Sequence, residues 1–325
     1  MERIGIVGFG QVVENVHFPI LRANNEVDIV WVVEPNIKTS NKYMLDTLGI
    51  PIFDSIHSID DESKLDIILI ASPYGTRDEI FRAIKGKTKG IYCEKPFAKS
   101  LEEHNRLINN YKDYNFTIGY QRRSLESVRL TKSIIDGNLF GSVQKVGFEF
   151  GDISIRTGGF TSNVELSGGG LLFEAGVHWI DTVLYTLNAV DVRKLKSTVE
   201  YECGLDIHVE AGFEIILQKG KIVDFELIVT QIQQTTNKIT YTFKDVSLEL
   251  ELFDDSARPT VITHNNPTGR FTLENYLGDI GPSSSLGQGI EYWNKFLYCF
   301  RNQSTSYTSA NHSLLTTKVV EFIYE

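Results

Sequence analysis

Cysteine is scarce in this sequence. Three occur in 325 residues, Cys93, Cys203 and Cys299, an odd number set far apart. They offer no metal-ligand spacing and no disulfide framework, so no metal site is expected. Free thiols fit a reducing compartment and a cytoplasmic location. Basic residues are also outnumbered: 32 Lys and Arg face 42 Asp and Glu, a formal net charge of -10. That sign repels a phosphate backbone, so nucleic acid is not an expected partner. No basic run forms a membrane-surface patch. Apolar runs are short, and none approaches the ~18 residues of a membrane-spanning helix. Met1-Glu2-Arg3-Ile4-Gly5 leads straight into a strand pattern, so no secretory signal is expected. Internal repeats and low-complexity segments are missing too.

What remains is an ordinary globular composition, 42 % hydrophobic and 23 % charged. At roughly 150 residues per domain the length implies two domains. The first part alternates strands and helices. Short apolar runs at 4–7, 27–33, 66–70, 90–93 and 115–118 read as strands of a parallel sheet covered on both faces. Val12, Val16 and Ile20 give a helix after the first strand, which Pro19 is expected to kink or limit. Ser100 and Glu103 form a capping box for a helix carrying Leu101, Leu107 and Ile108. From about residue 143 strand patterns follow in series: 143–150, 208–217, 221–231, 238–243 and 246–252, with Lys219-Gly220 as a tight turn. The fold class is therefore α/β plus α+β. A doubly wound parallel-sheet domain spans 1–120, and an open, mainly antiparallel domain for substrate binding and oligomerisation spans 121–325. The final helix, from near Ala310, is expected to pack back on the first domain. Residues 269–289 read as a long surface loop. The apolar alternation of the second sheet implies an uncovered face buried against another copy, hence a homodimer or homotetramer.

Gly8-Phe9-Gly10-Gln11-Val12-Val13 carries the first two glycines of G-x-G-x-x-G between a strand and a helix. Gly8 permits the tight turn, and Gly10 lets backbone approach a pyrophosphate on the helix N-terminus. Val13 stands at the third position, where the motif has a small residue. Glu34 ends the second strand near the usual spacing of about 20 residues. Its carboxylate accepts from ribose hydroxyls and repels a 2′-phosphate, which favours NAD over NADP.

Glu94-Lys95-Pro96 follows a later strand. Far along the chain runs Gly168-Gly169-Gly170-Leu171-Leu172-Phe173-Glu174-Ala175-Gly176-Val177-His178-Trp179-Ile180-Asp181. As an α-helix it would set Glu174, His178 and Asp181 on one face, with a carboxylate one turn from an imidazole. Together with Gly119-Tyr120-Gln121-Arg122-Arg123, these motifs resemble the glucose-fructose oxidoreductase / inositol dehydrogenase / rhizopine-catabolism (Gfo/Idh/MocA) family. The resemblance implies an NAD-binding Rossmann domain at 1–120. It also implies a hydride transfer between nicotinamide and a secondary alcohol or ketone of a sugar, polyol or nucleotide sugar. It makes Lys95 the lysine on the reacting oxygen and His178 the general acid/base. Glu174 stands where the family usually has Asp, and Arg77 where histidine is common. The cofactor contacts expected are Gly8, Phe9, Gly10, Gln11, Val12, Glu34, Ser72, Pro73, Glu94 and Lys95. The substrate contacts expected are Lys95, Arg123, Arg156, Glu174, His178 and Asp181, the two arginines as grips for an anionic group. A glycine-rich loop at 157–170 is expected to move over the substrate, and Cys93 reads as a buried strand residue. The alternatives are an NAD-binding sensor on the same scaffold, or a reductase of a non-sugar substrate. The pairing of Lys95 with His178 favours the enzyme.

Overall fold

The computed structural model describes residues 1–59, 65–153, 159–252, 259–264, 269–272, 285–306 and 308–325. Its chain divides into two compact units: 1–97, 105–119 and 292–312 form the first, and 98–104, 120–291 and 313–325 the second.

In the first unit, six strands form one parallel sheet: β1 (Glu2–Val7), β2 (Val27–Val33), β3 (Ile52–Phe53), β4 (Ile67–Ile70), β5 (Gly90–Cys93) and β6 (Asn115–Ile118). Their order is β3-β2-β1-β4-β5-β6. The order reverses between β1 and β4, the switch point where open α/β sheets bind ligands at their carboxyl ends. Continuous apolar strands follow from burial on both faces. Ile4, Ile6, Ile67, Leu69 and Tyr92 join one core with Val13, Phe18 and the helical residues Tyr292, Trp293, Phe296 and Leu297. The intervening residues Val7, Ile68, Ile70, Ile91 and Cys93 are buried as well. At roughly 1.5–3 kcal/mol per fully buried large apolar side chain, the four residues of 292–297 anchor that late segment firmly to the sheet. Tyr92 stacks on Trp293 with ring centroids 4.6 Å apart. Thr117 Oγ1 meets Thr308 Oγ1 at 2.7 Å and Ser306 Oγ at 2.9 Å, which satisfies those buried hydroxyls. It is this segment, and not the final helix, that groups with the parallel sheet.

The helices that begin in the first unit are α1 (Phe18–Ala23), α2 (Thr39–Thr47) and α3 (Arg77–Ile84), and α4 (Leu101–Asn110) ends there. A π-helical turn at Val13–His17 runs directly into α1, with Pro19 in its first turn. There it has no N–H to donate to the preceding turn, and the helical stretch from Gln11 takes up its π-helical turn just before it.

Among the described residues the second unit holds eight strands: β7 (Lys145–Gly151), β8 (Asp191–Glu202), β9 (Leu205–Ile216), β10 (Ile222–Thr230), β11 (Lys238–Thr242), β12 (Val246–Glu251), β13 (Thr260–Thr263) and β14 (Arg270–Thr272). Their order is β14-β13-β12-β11-β7-β10-β9-β8. Only β7 and β10 pair in parallel. The 12-residue β8 is absent from the sequence reading. Its Asp-Val-Arg-Lys-Leu-Lys run is mostly polar because it forms the sheet edge, with one strand neighbour. β14 and a helix from Ser285 trim the expected loop at 269–289, and its central residues 273–284 lie outside the described ones.

One face of this sheet packs on α5 (Glu126–Asp136), α7 (Val177–Thr186) and α9 (Leu314–Tyr324). Val223, Phe225, Leu227 and Val229 of β10 join Val128, Ile180, Val183, Val319 and Ile323 in its core. The opposite face is not apolar as expected. It carries a ladder of mixed charge: Lys145–Glu226 at 2.5 Å, Lys238–Glu249 at 2.5 Å and Arg193–Glu214 at 2.6 Å. The alternation hid this because residues 145–150 and 222–229 interleave apolar with charged residues, and only the apolar half meets the helices. The stretch expected as a mobile loop at 157–170 contains the one-turn helix α6 (Val164–Ser167), capped by Asn163. Residues 154–158, with Arg156, lie outside the described residues.

Candidate functional site

The first unit gathers a nucleotide cradle at the carboxyl ends of its strands. Gly8 has φ +94°, and a Cβ there would sit 2.7 Å from the carbonyl of Ala71, so no other residue fits. Above Gly10 nothing lies within 4 Å of where a Cβ would be. Helix starts at Gln11, and its first N–H groups and dipole favour an anion. Glu34 is tied to this turn: Phe9 N donates to its Oε2 at 2.8 Å and Asn36 N to its Oε1 at 3.0 Å. Both bonds fix the carboxylate while leaving a lone pair on each oxygen. At the end of β4, the Ser72 hydroxyl is buried without a hydrogen-bond partner among the described residues. An open approach over Gly10, a helix N-terminus, a held carboxylate and an orphaned hydroxyl together fit a dinucleotide. Val13 is fully buried and opens the π-helical turn. That wider turn is where a valine, rather than a glycine, is accommodated against the sheet.

Glu94, Lys95 and Pro96 follow β5 in the same unit, and the Lys95–Pro96 peptide is cis. Glu94 is 4 % exposed. His17 Nε2 lies 2.8 Å from Glu94 Oε1, and Trp293 Nε1 donates to His17 Nδ1 at 2.9 Å. An indole N–H only donates, so His17 accepts on Nδ1 and donates from Nε2 to the carboxylate. Lys95 N donates to Glu94 Oε2 at 3.2 Å. Arg77 opens α3 and is buried, with its guanidinium on backbone carbonyls of the same segment. Sequence reasoning passed over His17, although it lies on the buried side of its helix with Val13 and Ile20. Trp293 carries no local signal, since its partner is 276 residues away.

In the second unit the glycine run is built around Asp206 of β9. Gly170 N donates to Asp206 Oδ1 at 2.5 Å, Leu172 N to Oδ2 at 2.7 Å, and Tyr324 OH to Oδ1 at 2.7 Å. A Cβ on Gly170 would sit 2.2 Å from the Asp206 carbonyl oxygen, which is why glycine stands there. Burial and the facing Asp206 carboxylate push the Tyr324 phenol well above its ordinary value. Asp206 thus caps the helix that presents the motif, a role no local pattern announces.

That helix is not α-helical throughout. Leu172–Gly176 is a π-helical turn, and α7 starts only at Val177. The i→i+5 turn rotates Glu174 relative to the residues that follow. The α-helical spacing assumed between Glu174 and His178 therefore does not hold across this turn. Glu174 and His178 are half-buried, whereas Asp181 is 1 % exposed. Arg123 Nε donates to Asp181 Oδ2 at 2.7 Å and Arg123 NH2 to Oδ1 at 2.6 Å. Two residues expected as separate substrate contacts hold each other instead, in a buried bidentate pair. His178 packs edge-on against Tyr120, with centroids 6.2 Å apart at 87°. Tyr120 is buried, so the residue read as one aromatic among many is a neighbour of the histidine. Among the described residues no cluster fit for a metal occurs, and no helix is long and apolar enough to cross a membrane.

Comparison with known proteins follows this division. The model of an oxidoreductase family with an NAD-binding Rossmann fold, GFO_IDH_MocA, matches residues 2–120. Residues 2–120 are therefore similar to the NAD-binding domain of that family. Glucose-6-phosphate 3-dehydrogenase of Bacillus subtilis is 28 % identical over 191 residues, 57 % of this chain and 53 % of that protein. D-glucoside 3-dehydrogenase of Escherichia coli is 22 % identical over 200 residues, 60 % of this chain and 56 % of that protein. The matched segment thus spans about half the length of these curated relatives. In fold, a 3-ketoreductase from Actinomadura kijaniata solved with TDP-benzene and NADP superposes with a TM-score of 0.82. The identity is 14 %, covering 99 % of this chain and 97 % of that one. The shared fold takes in both sheets: the Rossmann order of the first and the mainly antiparallel order of the second.

Proposed function

We propose that this chain is a Gfo/Idh/MocA-family, NAD-dependent oxidoreductase acting on a secondary alcohol, or the corresponding ketone, of a sugar or nucleotide sugar. The observation that supports it most is the placement of Lys95. It follows β5 in the unit that carries the nucleotide cradle, on a backbone held by Glu94, His17 and Arg77. Bound NAD supplies the hydride acceptor. Lys95 donates a hydrogen bond to the substrate oxygen and stabilises the developing alkoxide. His178 takes the hydroxyl proton on oxidation and returns it on reduction. Glu174, four residues before His178, orients the imidazole or binds a neighbouring hydroxyl. Arg123 and Asp181 act as scaffold rather than as grips. The Glu34 carboxylate, held by two N–H groups, supports NAD over NADP. Similar proteins named for chemistry at position 3 of a sugar make that carbon the first to try.

The test is absorbance at 340 nm with NAD and with NADP. Wild type, Lys95→Met and His178→Ala are compared across hexoses, hexose 6-phosphates, glucosides, inositols and nucleotide sugars. Turnover with NAD that falls ~10²–10⁴-fold in each variant is expected. Near-native turnover in Lys95→Met overturns the assignment.

A further inference from the structure

Arg77 is 5 % exposed at the first position of α3. Every partner of its guanidinium among the described residues is a backbone carbonyl. Nε and NH2 each lie 3.2 Å from Ser72 O. NH1 donates to Glu94 O at 2.6 Å and also to Pro96 O, and NH2 reaches Lys95 O at 3.4 Å. The cation is therefore held by carbonyl dipoles, three of them from consecutive residues. We propose that Arg77 is a positioning residue for Lys95, a clasp that fixes the backbone from which the lysine side chain springs. This rests on the catalytic reading of Lys95 given above.

The geometry gives the reason. A guanidinium is planar, permanently charged and carries five donors in a rigid fork. Aimed at the carbonyls of 94, 95 and 96, it sets the planes of the peptides that follow them. The opposite edge of the 94–95 peptide is fixed as well, because Lys95 N donates to Glu94 Oε2 while His17 holds Oε1. Lysine has a long, freely rotating stem, so the protein aims its ammonium chiefly by fixing the stem's root. The same guanidinium grips Ser72 O and so joins the ends of β4 and β5 in one unit. An ammonium in its place keeps the charge but loses the fork, so lysine is not a conservative replacement here. A misplacement of about 1 Å at a reacting group costs on the order of 10²-fold in rate.

The experiment compares full-length wild type, Arg77→Lys, Arg77→Gln and Arg77→Met. The first readout is amide hydrogen exchange by mass spectrometry, which requires no substrate. The peptide carrying Glu94 and Lys95 is expected to exchange ~10-fold or more faster in all three variants, with peptides from β1 and β2 unchanged. Unchanged exchange at 94–95, or equal acceleration throughout the unit, overturns the clasp. The second readout is a double-mutant cycle on turnover, using the sugar found at 340 nm. Arg77→Met is expected to lower kcat by ~10–10²-fold in the wild-type background, with little change in NADH binding or KM, and by no more than ~2-fold in the Lys95→Met background. Equal losses in both backgrounds mean that Arg77 does not act through Lys95. If Lys95→Met itself leaves turnover intact, the catalytic reading fails, and the exchange result still decides the clasp. Should Arg77→Met not fold, the lysine and glutamine variants carry the same comparison.

Discussion

Replacing Asp181 by Asn separates a structural pair from a substrate contact. The Asp181 carboxylate receives Arg123 Nε and NH2 at 2.7 and 2.6 Å and Thr316 Oγ1 at 3.2 Å. The two side chains are 1 % and 4 % exposed, and the Arg123 guanidinium lies 4.9 Å from the Tyr185 ring centroid. Water is therefore not at hand to replace a lost partner. Asn keeps the shape and one acceptor but removes the charge, leaving a buried guanidinium without its counter-ion. Breaking a buried pair from one side costs about 3–5 kcal/mol, and the surviving acceptor puts this variant near 3 kcal/mol. For a domain of 150–250 residues that lowers Tm by roughly 6–12 °C. Urea denaturation followed by tryptophan fluorescence reads the loss directly. The double replacement Arg123→Met with Asp181→Leu removes both charges and is expected to recover all but ~1–2 kcal/mol, since apolar replacement of a buried pair is often close to neutral. An Asp181→Asn protein within 1 kcal/mol of wild type, with a raised KM for the sugar, would refute this reasoning and return Asp181 to the substrate.

Three further outcomes follow from other contacts. Glu34→Ala removes an acceptor from Phe9 N and Asn36 N and is expected to weaken NADH binding ~10–100-fold, the range for charge-assisted hydrogen bonds. Fluorescence titration measures it, and tighter binding of NADPH than NADH by the wild type would contradict the role given to Glu34. Asp206→Ala uncaps the glycine-run helix and strands Tyr324. A loss of about 2–4 kcal/mol in urea denaturation is expected, larger than a simple cap because the carboxylate is buried. Arg301 donates to both oxygens of Glu2 at 2.6 Å and holds that carboxyl below its usual value of 4.5. A depressed carboxyl stabilises the fold above its unfolded value and loses that contribution as pH falls through the folded one. Glu2→Gln is therefore expected to be less stable than wild type by about 1 kcal/mol at pH 7 and indistinguishable from it in acid below the carboxylate range. A difference that persists there would exclude the ion pair as its source.

How much of this was legible in the sequence depends on the range of the physics involved. The parallel sheet was readable because continuous apolar strands and the Gly8-Phe9-Gly10 turn are local consequences of burial and chain reversal. Glu34 was readable because its distance from Gly10 is set by one helical stretch and one strand. The charged face of the second sheet was misread because alternation tells which residues share a face but not which face a helix covers. β8 was missed for the related reason that an edge strand keeps few apolar residues. Glu174 and Asp181 were placed on one face by assuming 3.6 residues per turn, and the π-helical turn at Leu172–Gly176 breaks that assumption. The same break occurs at Val13–His17, so both glycine-bearing motifs of this chain open into a π-helical turn. In the first unit that turn accompanies a buried His17 on Glu94, and in the second it precedes His178. Such turns carry an extra residue within a helix and re-aim the side chains around it. They need long-range packing to persist, which is why a helical wheel cannot reveal them. The residues hardest to foresee were Arg77, Asp206 and Trp293, whose partners lie 5–19, 34–118 and 276 residues away. Each acts on the backbone or buried carboxylate beneath a motif rather than on the motif's reactive side chain. A sequence read for chemistry proposes Lys95 and His178, while the residues that hold the backbone around such motifs are visible only once the chain is folded.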